Sequence, residues 1–174
     1  LFGNISNNFI RVNIGALLVG LMIFLFPVLY GDSYHGLREI LSEIPTTSKI
    51  SLFFLLSITL LKPLVASLTL GAGGDGGVFA PIIVAGAFLG LLVALIGNKY
   101  FNTNLIPLNF ALVGASATLS ASLFAPLTSI ILICDLLPNG YVLFIPILIG
   151  SLFSYLISKR ILPYNVYSFD SYTK

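Results

Sequence analysis

The glycine-rich segment 71–77 and the residues directly after it form the stretch whose residue types could bind a ligand. Five glycines in seven positions let the backbone bend tightly and be approached closely. Pro81 suits the first turn of a helix, so the pattern predicts a helix that begins near Val78. A helix start presents unpaired N–H donors and about half a positive charge, which favours an anion. The predicted loop and helix start comprise Gly73, Gly76, Gly77, Ala80 and Pro81.

Residue types that support covalent or metal chemistry are not grouped in the sequence. We find no nucleophile–base pair, no paired carboxylates and no cluster of metal-ligand residues, so we expect no enzyme activity, no metal and no cofactor. The single cysteine, Cys134, lies in an apolar run and is expected to be a small buried side chain. The single histidine, His35, is expected in a solvated turn, with a pH sensor as the alternative.

A dinucleotide site is a second interpretation of the glycines, because residues 71–76 match the pattern Gly-x-Gly-x-x-Gly. That interpretation requires an acidic residue about 20 positions later to bind a ribose. The next acidic residue after Asp75 is Asp135. It also requires a soluble βαβ unit, which the low charge of the chain excludes.

The composition is that of a membrane protein. Apolar residues make up 57% of the 174 residues and charged residues only 8%, with a mean hydropathy of +1.06. A soluble domain has about 25% charged residues. The net charge of +2 is too small to indicate nucleic-acid binding. We therefore expect a multi-pass integral membrane protein in contact with a lipid bilayer, with the cell membrane as its location.

The hydrophobic pattern predicts an all-α fold. Helices are expected at 12–29, 49–70, 78–97, 109–122, 126–137 and 141–158, with an amphipathic interfacial helix at 31–44 and loops at 1–11, 45–48, 98–104 and 138–140. Pro27 is expected to bend or end the first helix, and Pro63 to kink the second. Lys62 is costly within an apolar helix unless it snorkels or faces water.

Two of these helices are too short to cross a membrane upright. Residues 109–122 span about 21 Å against a hydrocarbon core of about 30 Å. They are rich in small residues that allow close helix packing, and Phe124-Ala125-Pro126 separates them from the next short helix. Two half-length helices that meet at a proline are typical of broken-helix transporters and channels.

The order of several motifs resembles the CLC family of chloride channels and proton-coupled chloride transporters. Residues 77–81 resemble its Gly-x-Phe-x-Pro signature, and residues 27–36 resemble its Pro…Gly-x-Gly-Tyr stretch. Residues 110–115 and 125–132 resemble its Ala-Pro-Leu-Thr helix pair, and residues 166–168 its C-terminal tyrosine segment. The likeness covers nearly the whole chain. It corresponds to the C-terminal half of such a membrane domain, which would make residues 1–174 one half of an inverted-repeat fold with broken and tilted helices.

The resemblance implies transport of chloride or a similar small anion, passive or proton-coupled. The backbone N–H groups of Val78 and Phe79 and the hydroxyl of Tyr167 would bind the anion, with an aromatic belt as the alternative role of Tyr167. Asp135 would cap or pair structurally. Asp75 departs from the small residue that is usual in the family, and a carboxylate close to an anion path is repulsive. We therefore expect Asp75 at the aqueous mouth, as a cap of the helix start, or as a residue that alters the anion preference.

The resemblance also implies partners: chloride, the N-terminal half of the same membrane domain, and a second copy of the chain. The homodimer contact is expected on helices 126–137 and 141–158, whose isoleucines at 130, 131, 133, 145, 147 and 149 need a partner. The gating and proton glutamates of the family are not among these residues, so channel and exchanger both stay open at this point. The apolar composition and the broken helices also fit a different broken-helix anion transporter, and the composition alone fits a non-conducting membrane packing subunit.

Overall fold

The computed structural model describes residues 7–30, 52–74, 77–136 and 140–168. Its α-helices are α1 (Asn8–Leu25), α2 (Leu52–Ala72), α3 (Phe79–Phe101), α4 (Pro107–Leu123), α5 (Pro126–Asp135) and α6 (Phe144–Ile161). Short 3-10 turns occupy Pro27–Leu29 and Gly140–Leu143. These described ranges contain no β-strand, and the predicted all-α class is confirmed.

Four helical segments are long and apolar enough to span a membrane: Asn8–Leu25, Leu52–Ala72, Phe79–Phe101 and Gly140–Ile161. Two shorter apolar helices, α4 and α5, lie between the last two of these segments. The fold is therefore that of a polytopic membrane protein, as predicted. The chain forms two compact units, residues 1–85 and residues 86–174, and each is described by itself.

Helix α1 begins and ends earlier than the sequence predicted. The predicted range 12–29 placed residues 1–11 in a loop, but the helix starts at Asn8 because the Asn7 side chain caps it, accepting from the Phe9 N–H at 3.1 Å. The helix ends at Leu25, and Pro27 opens the 3-10 turn that follows. Pro27 thus ends the helix, which was one of the two predicted outcomes.

Lys62 is buried inside the first unit, where a hydrogen bond to the backbone accommodates it in place of snorkelling or contact with water. Its side chain is only 3% exposed, and its Nζ donates to the Leu29 carbonyl at 3.1 Å. Leu29 ends the 3-10 turn, so Lys62 joins α2 to the segment after α1. Helix α2 continues through Pro63 to Ala72, packed through buried residues such as Leu55 and Ile58.

The second unit is built on the pairing of α4 with α6. Serine hydroxyl groups join these helices by hydrogen bonds between Ser116 and Ser151 (2.6 Å), from Ser120 to the Ser151 carbonyl (2.8 Å), from Ser154 to the Ala117 carbonyl (2.6 Å), and from Ser158 to the Ala121 carbonyl (3.0 Å). Each such bond in a membrane contributes about 0.6 kcal/mol on average. Together they fix the relative position of α4 and α6.

Close approach of α3 and α4 requires glycine. A Cβ at Gly86 would clash with the Thr118 hydroxyl and the Gly114 carbonyl, and a Cβ at Gly90 would clash with the Phe110 carbonyl. Gly86 and Gly90 are four residues apart and therefore lie on one face of α3. This small-x-x-x-small spacing lets two helix backbones touch inside a membrane, where van der Waals contact drives association.

The break between two short helices is present, with bounds that differ slightly from the prediction. Helix α4 has 17 residues rather than the 14 of 109–122, and α5 ends at Asp135 rather than at 137. Helix α6 begins at Phe144 and extends to Ile161, beyond the predicted 141–158. Helix α3 likewise extends to Phe101, past the predicted end at 97. The predicted interfacial helix at 31–44, with His35, and the loop at 45–48 lie outside the described residues.

Candidate functional site

Helix α2 ends within the glycine segment in a Schellman motif. The Gly73 N–H donates to the Leu70 carbonyl at 3.0 Å, and the Gly74 N–H donates to the Thr69 carbonyl at 2.9 Å. Gly73 has a φ of 97°, a left-handed conformation that favours glycine. Because α2 includes Gly71 and Ala72, the loop begins at Gly73 rather than at the first glycine of the segment.

The N-terminus of α3 leaves backbone donors without acceptors. The Val78 carbonyl accepts the first hydrogen bond of this turn, from the Ile82 N–H at 3.3 Å, so Val78 is the N-cap residue. Its apolar side chain offers no acceptor, and the first turn contains no acidic residue. Within residues 77–101, the N–H groups of Phe79 and Ala80 therefore have no carbonyl one turn back. Pro81 has no N–H, so it adds no further donor to the first turn of α3.

The surface around this helix start is accessible. Phe79 is 38% exposed, and Val78 and Ala80 are half-buried. A Cβ at Gly77 would have no heavy atom within 4 Å. Among the described residues, this helix start is therefore open beside Gly77 and at Phe79. Asp75 and Gly76, the other predicted residues of the loop, lie outside the described residues.

Arg11 is a charged group near the loop that the sequence interpretation missed. Its Nη2 donates to Asn8 Oδ1 at 2.6 Å and lies 3.2 Å from the position of a Cβ on Gly73. Its Nε is buried and has no hydrogen-bond partner among the described residues. The sequence predicted Arg11 in a polar loop at 1–11. The Asn7-Asn8 pair before an apolar run was the signal for the earlier helix start.

Tyr167 lies in a turn at the C-terminal end of the second unit. Its side chain is 62% exposed, and its backbone N–H donates to Asn165 Oδ1 at 3.0 Å. The turn adjoins a cavity of about 420 Å³ lined by Ala121, Ser122, Ser158, Leu162, Tyr164, Asn165 and Val166. Val78 and Phe79 belong to the first unit, and Tyr167 belongs to the second.

The connection from α4 to α5 is an abrupt turn with a strained residue. Phe124 has a φ of 57°, which is unfavourable for a bulky side chain, and its N–H donates to the Ser120 carbonyl at 3.0 Å. Its ring packs edge-on against Tyr155, with centroids 6.1 Å apart. Pro126 then occupies the first turn of α5. Phe124 and Ala125 alone thus connect α4 to α5.

Cys134 and Asp135 are neighbours at the C-terminal end of α5. Cys134 is buried, as predicted for a small apolar side chain. Asp135 is exposed at the end of α5, and among the described residues it makes neither a hydrogen bond nor an ion pair. The expectation that Asp135 caps or pairs is therefore wrong within the part of the chain that the structure describes.

Comparison with known protein families gives a match over most of the chain. Residues 3–159, which are 157 of the 174, match the family model described as voltage gated chloride channel. The matched range includes the glycine segment, the start of α3 and the broken pair α4–α5. Tyr167 lies outside it.

Proposed function

Because the chain belongs to the voltage gated chloride channel family, we propose that it forms part of a chloride pathway, with the anion bound at the start of α3. The family supports transport of chloride or another anion rather than an enzymatic reaction. The proposed ligands are the backbone N–H groups of Val78 and Phe79 and the hydroxyl of Tyr167. All three are neutral donors, which hold an anion without the strong attraction that would prevent its release.

The observation that supports the proposal is that, within residues 77–101, no side chain caps the N-terminus of α3. Phe79 and Ala80 present N–H groups with no intrahelical acceptor, and neither a carboxylate in the first turn nor a polar N-cap side chain competes for them. In a membrane, an unsatisfied backbone group costs several kcal/mol. An anion that accepts these hydrogen bonds removes that cost, so the site favours occupation by an anion.

The helix start alone is too weak to hold a dehydrated ion. Burying an ion costs several kcal/mol even after relaxation, whereas one helix terminus contributes about 0.3–1 kcal/mol, or about 2 kcal/mol when partly buried. A tyrosine hydrogen bond to a charged group adds about 1.5–3 kcal/mol. We propose that the remaining donors come from the other half of an inverted-repeat membrane domain, as in other transporters with broken helices.

We also propose a homodimer, whose contact uses fewer isoleucines than the sequence suggested. Ile130, Ile133 and Ile147 are buried within the second unit and need no partner. The exposed isoleucines are Ile131, Ile145 and Ile149. A second copy of the chain or lipid covers this exposed face, and we propose the second copy for the residues on α5 and α6.

The test separates the N–H of Phe79 from its ring. Proline is tolerated at the first helical position, so Phe79→Pro removes the N–H while it keeps the helix start. Phe79→Ala removes the ring and retains the N–H. In liposomes containing the complete protein, we expect Phe79→Pro to bind chloride roughly tenfold more weakly than Phe79→Ala, since a hydrogen bond to a charged group is lost. Chloride efflux and calorimetric affinity are measured for both variants.

Equal chloride affinities for the two variants, with both proteins folded, would contradict a role for the Phe79 N–H. The absence of any chloride flux from the unmodified protein would contradict the proposed function itself. Proton movement recorded in the same vesicles distinguishes passive permeation from proton-coupled exchange.

A further inference from the structure

We propose that Asn165 is a positioning residue that sets the place of the Tyr167 hydroxyl. The inference rests on the proposed role of Tyr167 as an anion ligand and adds the residue through which the second unit controls it. Asn165 itself need not contact the anion. Its side chain and backbone make hydrogen bonds in two directions, toward the Tyr167 turn and toward α4.

Toward the turn, Asn165 organises the backbone of the tyrosine segment. Its Oδ1 accepts from the N–H of Tyr167 at 3.0 Å and from the N–H of Ser168 at 2.8 Å. The Asn165 N–H donates to the Ser168 hydroxyl at 2.9 Å. Asparagine favours turns for this reason, since its side chain replaces a backbone acceptor. These hydrogen bonds restrain the backbone of Tyr167.

Toward α4, Asn165 ties this turn to the last turn of the helix. Its Nδ2 donates to the Leu123 carbonyl at 3.2 Å, and the neighbouring Val166 N–H donates to the Ser122 carbonyl at 3.1 Å. These two carbonyls belong to the helix C-terminus, which has no intrahelical donors left for them. Asn165 therefore satisfies an orphan acceptor and positions the turn with the same amide group.

Helix α4 is a firm support for this attachment. The serine hydrogen bonds described above hold α4 to α6 along several turns. By contrast, the Tyr167 ring is 62% exposed, so packing within the unit restrains it little. The hydrogen bonds of Asn165 set the position of the Tyr167 Cα–Cβ bond, and with it the range of positions that the hydroxyl can reach.

The experiment is a double-mutant cycle on the complete protein, read by calorimetric titration with chloride. The variants are Asn165→Ala, Tyr167→Phe and the two combined. We expect Asn165→Ala to weaken chloride binding roughly three- to tenfold, the effect of one net hydrogen bond. In the Tyr167→Phe background the same substitution is expected to change the affinity little, because the hydroxyl that Asn165 positions is already gone.

The matched control is Asn98→Ala. Asn98 has the same kind of bonds, since its Nδ2 donates to the Leu105 carbonyl at 2.8 Å and its Oδ1 accepts from the Leu105 N–H at 2.6 Å. It fixes the connection between α3 and α4 and has no hydrogen bond to the tyrosine turn. We expect Asn98→Ala to lower the unfolding midpoint and leave chloride affinity unchanged. Asn165→Ser, whose hydroxyl can still accept from the turn, is expected to recover part of the affinity.

Three results would overturn the positioning role: no loss of affinity in Asn165→Ala, an equal loss in both Tyr167 backgrounds, or an equal loss in Asn98→Ala. If Tyr167→Phe itself leaves chloride affinity unchanged, the proposed ligand role of Tyr167 fails and the inference fails with it. A loss in Tyr167→Phe that adds fully to the loss in Asn165→Ala overturns the inference alone and leaves the proposed function intact.

Discussion

Several polar side chains in this protein bind backbone groups of another segment of the chain. Lys62 donates to a carbonyl at the end of a 3-10 turn, Asn98 binds both backbone groups of Leu105, and Asn165 binds backbone groups on two segments. A membrane interior makes unsatisfied backbone groups expensive. Each of these backbone groups lies at or beyond the end of a helical segment. The side chains therefore stabilise the points at which the helices stop.

Lys62→Met tests this role at a single residue. Methionine keeps most of the side-chain volume but removes the donor to the Leu29 carbonyl, and we expect a cost of about 1.5–3 kcal/mol. The unfolding midpoint of the complete protein in detergent should fall. Lys99→Met is the control, since Lys99 is an exposed residue at the end of α3. Equal midpoints for the two variants would show that the Lys62 hydrogen bond is not stabilising.

Residue types predicted the helix start at Val78 but not the place of Lys62 or Arg11. The signal at Val78 is local, because Pro81 and the preceding glycines define it within a few positions. The partner of Lys62 is Leu29, 33 residues away, on the far side of a segment outside the described residues. Hydrophobic periodicity contains no information on such a pairing. Arg11 was misplaced because the apolar run that predicts α1 begins only at residue 12, whereas the helix begins before it.

At the scale of elements, glycine decides how closely α3 approaches α4. The two backbones meet at Gly86, where the Gly114 carbonyl and the Thr118 hydroxyl occupy the space of a Cβ. Thr118 donates to the Gly114 carbonyl at 2.7 Å, so the hydroxyl and the carbonyl that face Gly86 are hydrogen-bonded to each other.

Gly86→Ala is therefore expected to destabilise the protein by about 1–3 kcal/mol, since the added methyl group forces the two helices apart. Gly20→Ala is the matched control. Gly20 lies within α1, and a Cβ there would have no heavy atom within 4 Å. There alanine should stabilise the helix by about 0.5–1 kcal/mol. Thermal unfolding of both variants in detergent measures the difference, and a shift in the same direction would refute the steric role of Gly86.

Helix type and order could be predicted, whereas helix ends could not be predicted reliably. Apolar runs and the prolines at 81, 107 and 126 mark where helices occur. The ends depend on capping and on tertiary contacts: Asn7 extends α1 backward, and the Schellman motif at Gly73 extends α2 into the glycine segment. The left-handed backbone conformation of Phe124 could not be predicted from residue propensities, because bulky residues rarely adopt it. The packing of its ring accounts for this residue there.

At the scale of the whole molecule, the chain combines spanning helices with half-length helices. Helix α5, with 10 residues, is too short to cross the bilayer, and a protein that serves only to pack in a membrane has no need of such a helix. Broken helices place backbone termini at membrane depth, where they are tolerated only when they face protein or a polar path. The family match supports transport of chloride or another anion, and we propose the start of α3 as the place where the anion binds.

Crystals of the complete protein grown in bromide test this central claim most directly. Bromide resembles chloride in charge and chemistry, and its anomalous scattering marks its position without ambiguity. We predict an anomalous peak within hydrogen-bonding distance of the backbone nitrogen atoms at the start of α3, Val78 and Phe79. A map that shows bromide elsewhere but none at this helix start would contradict the account.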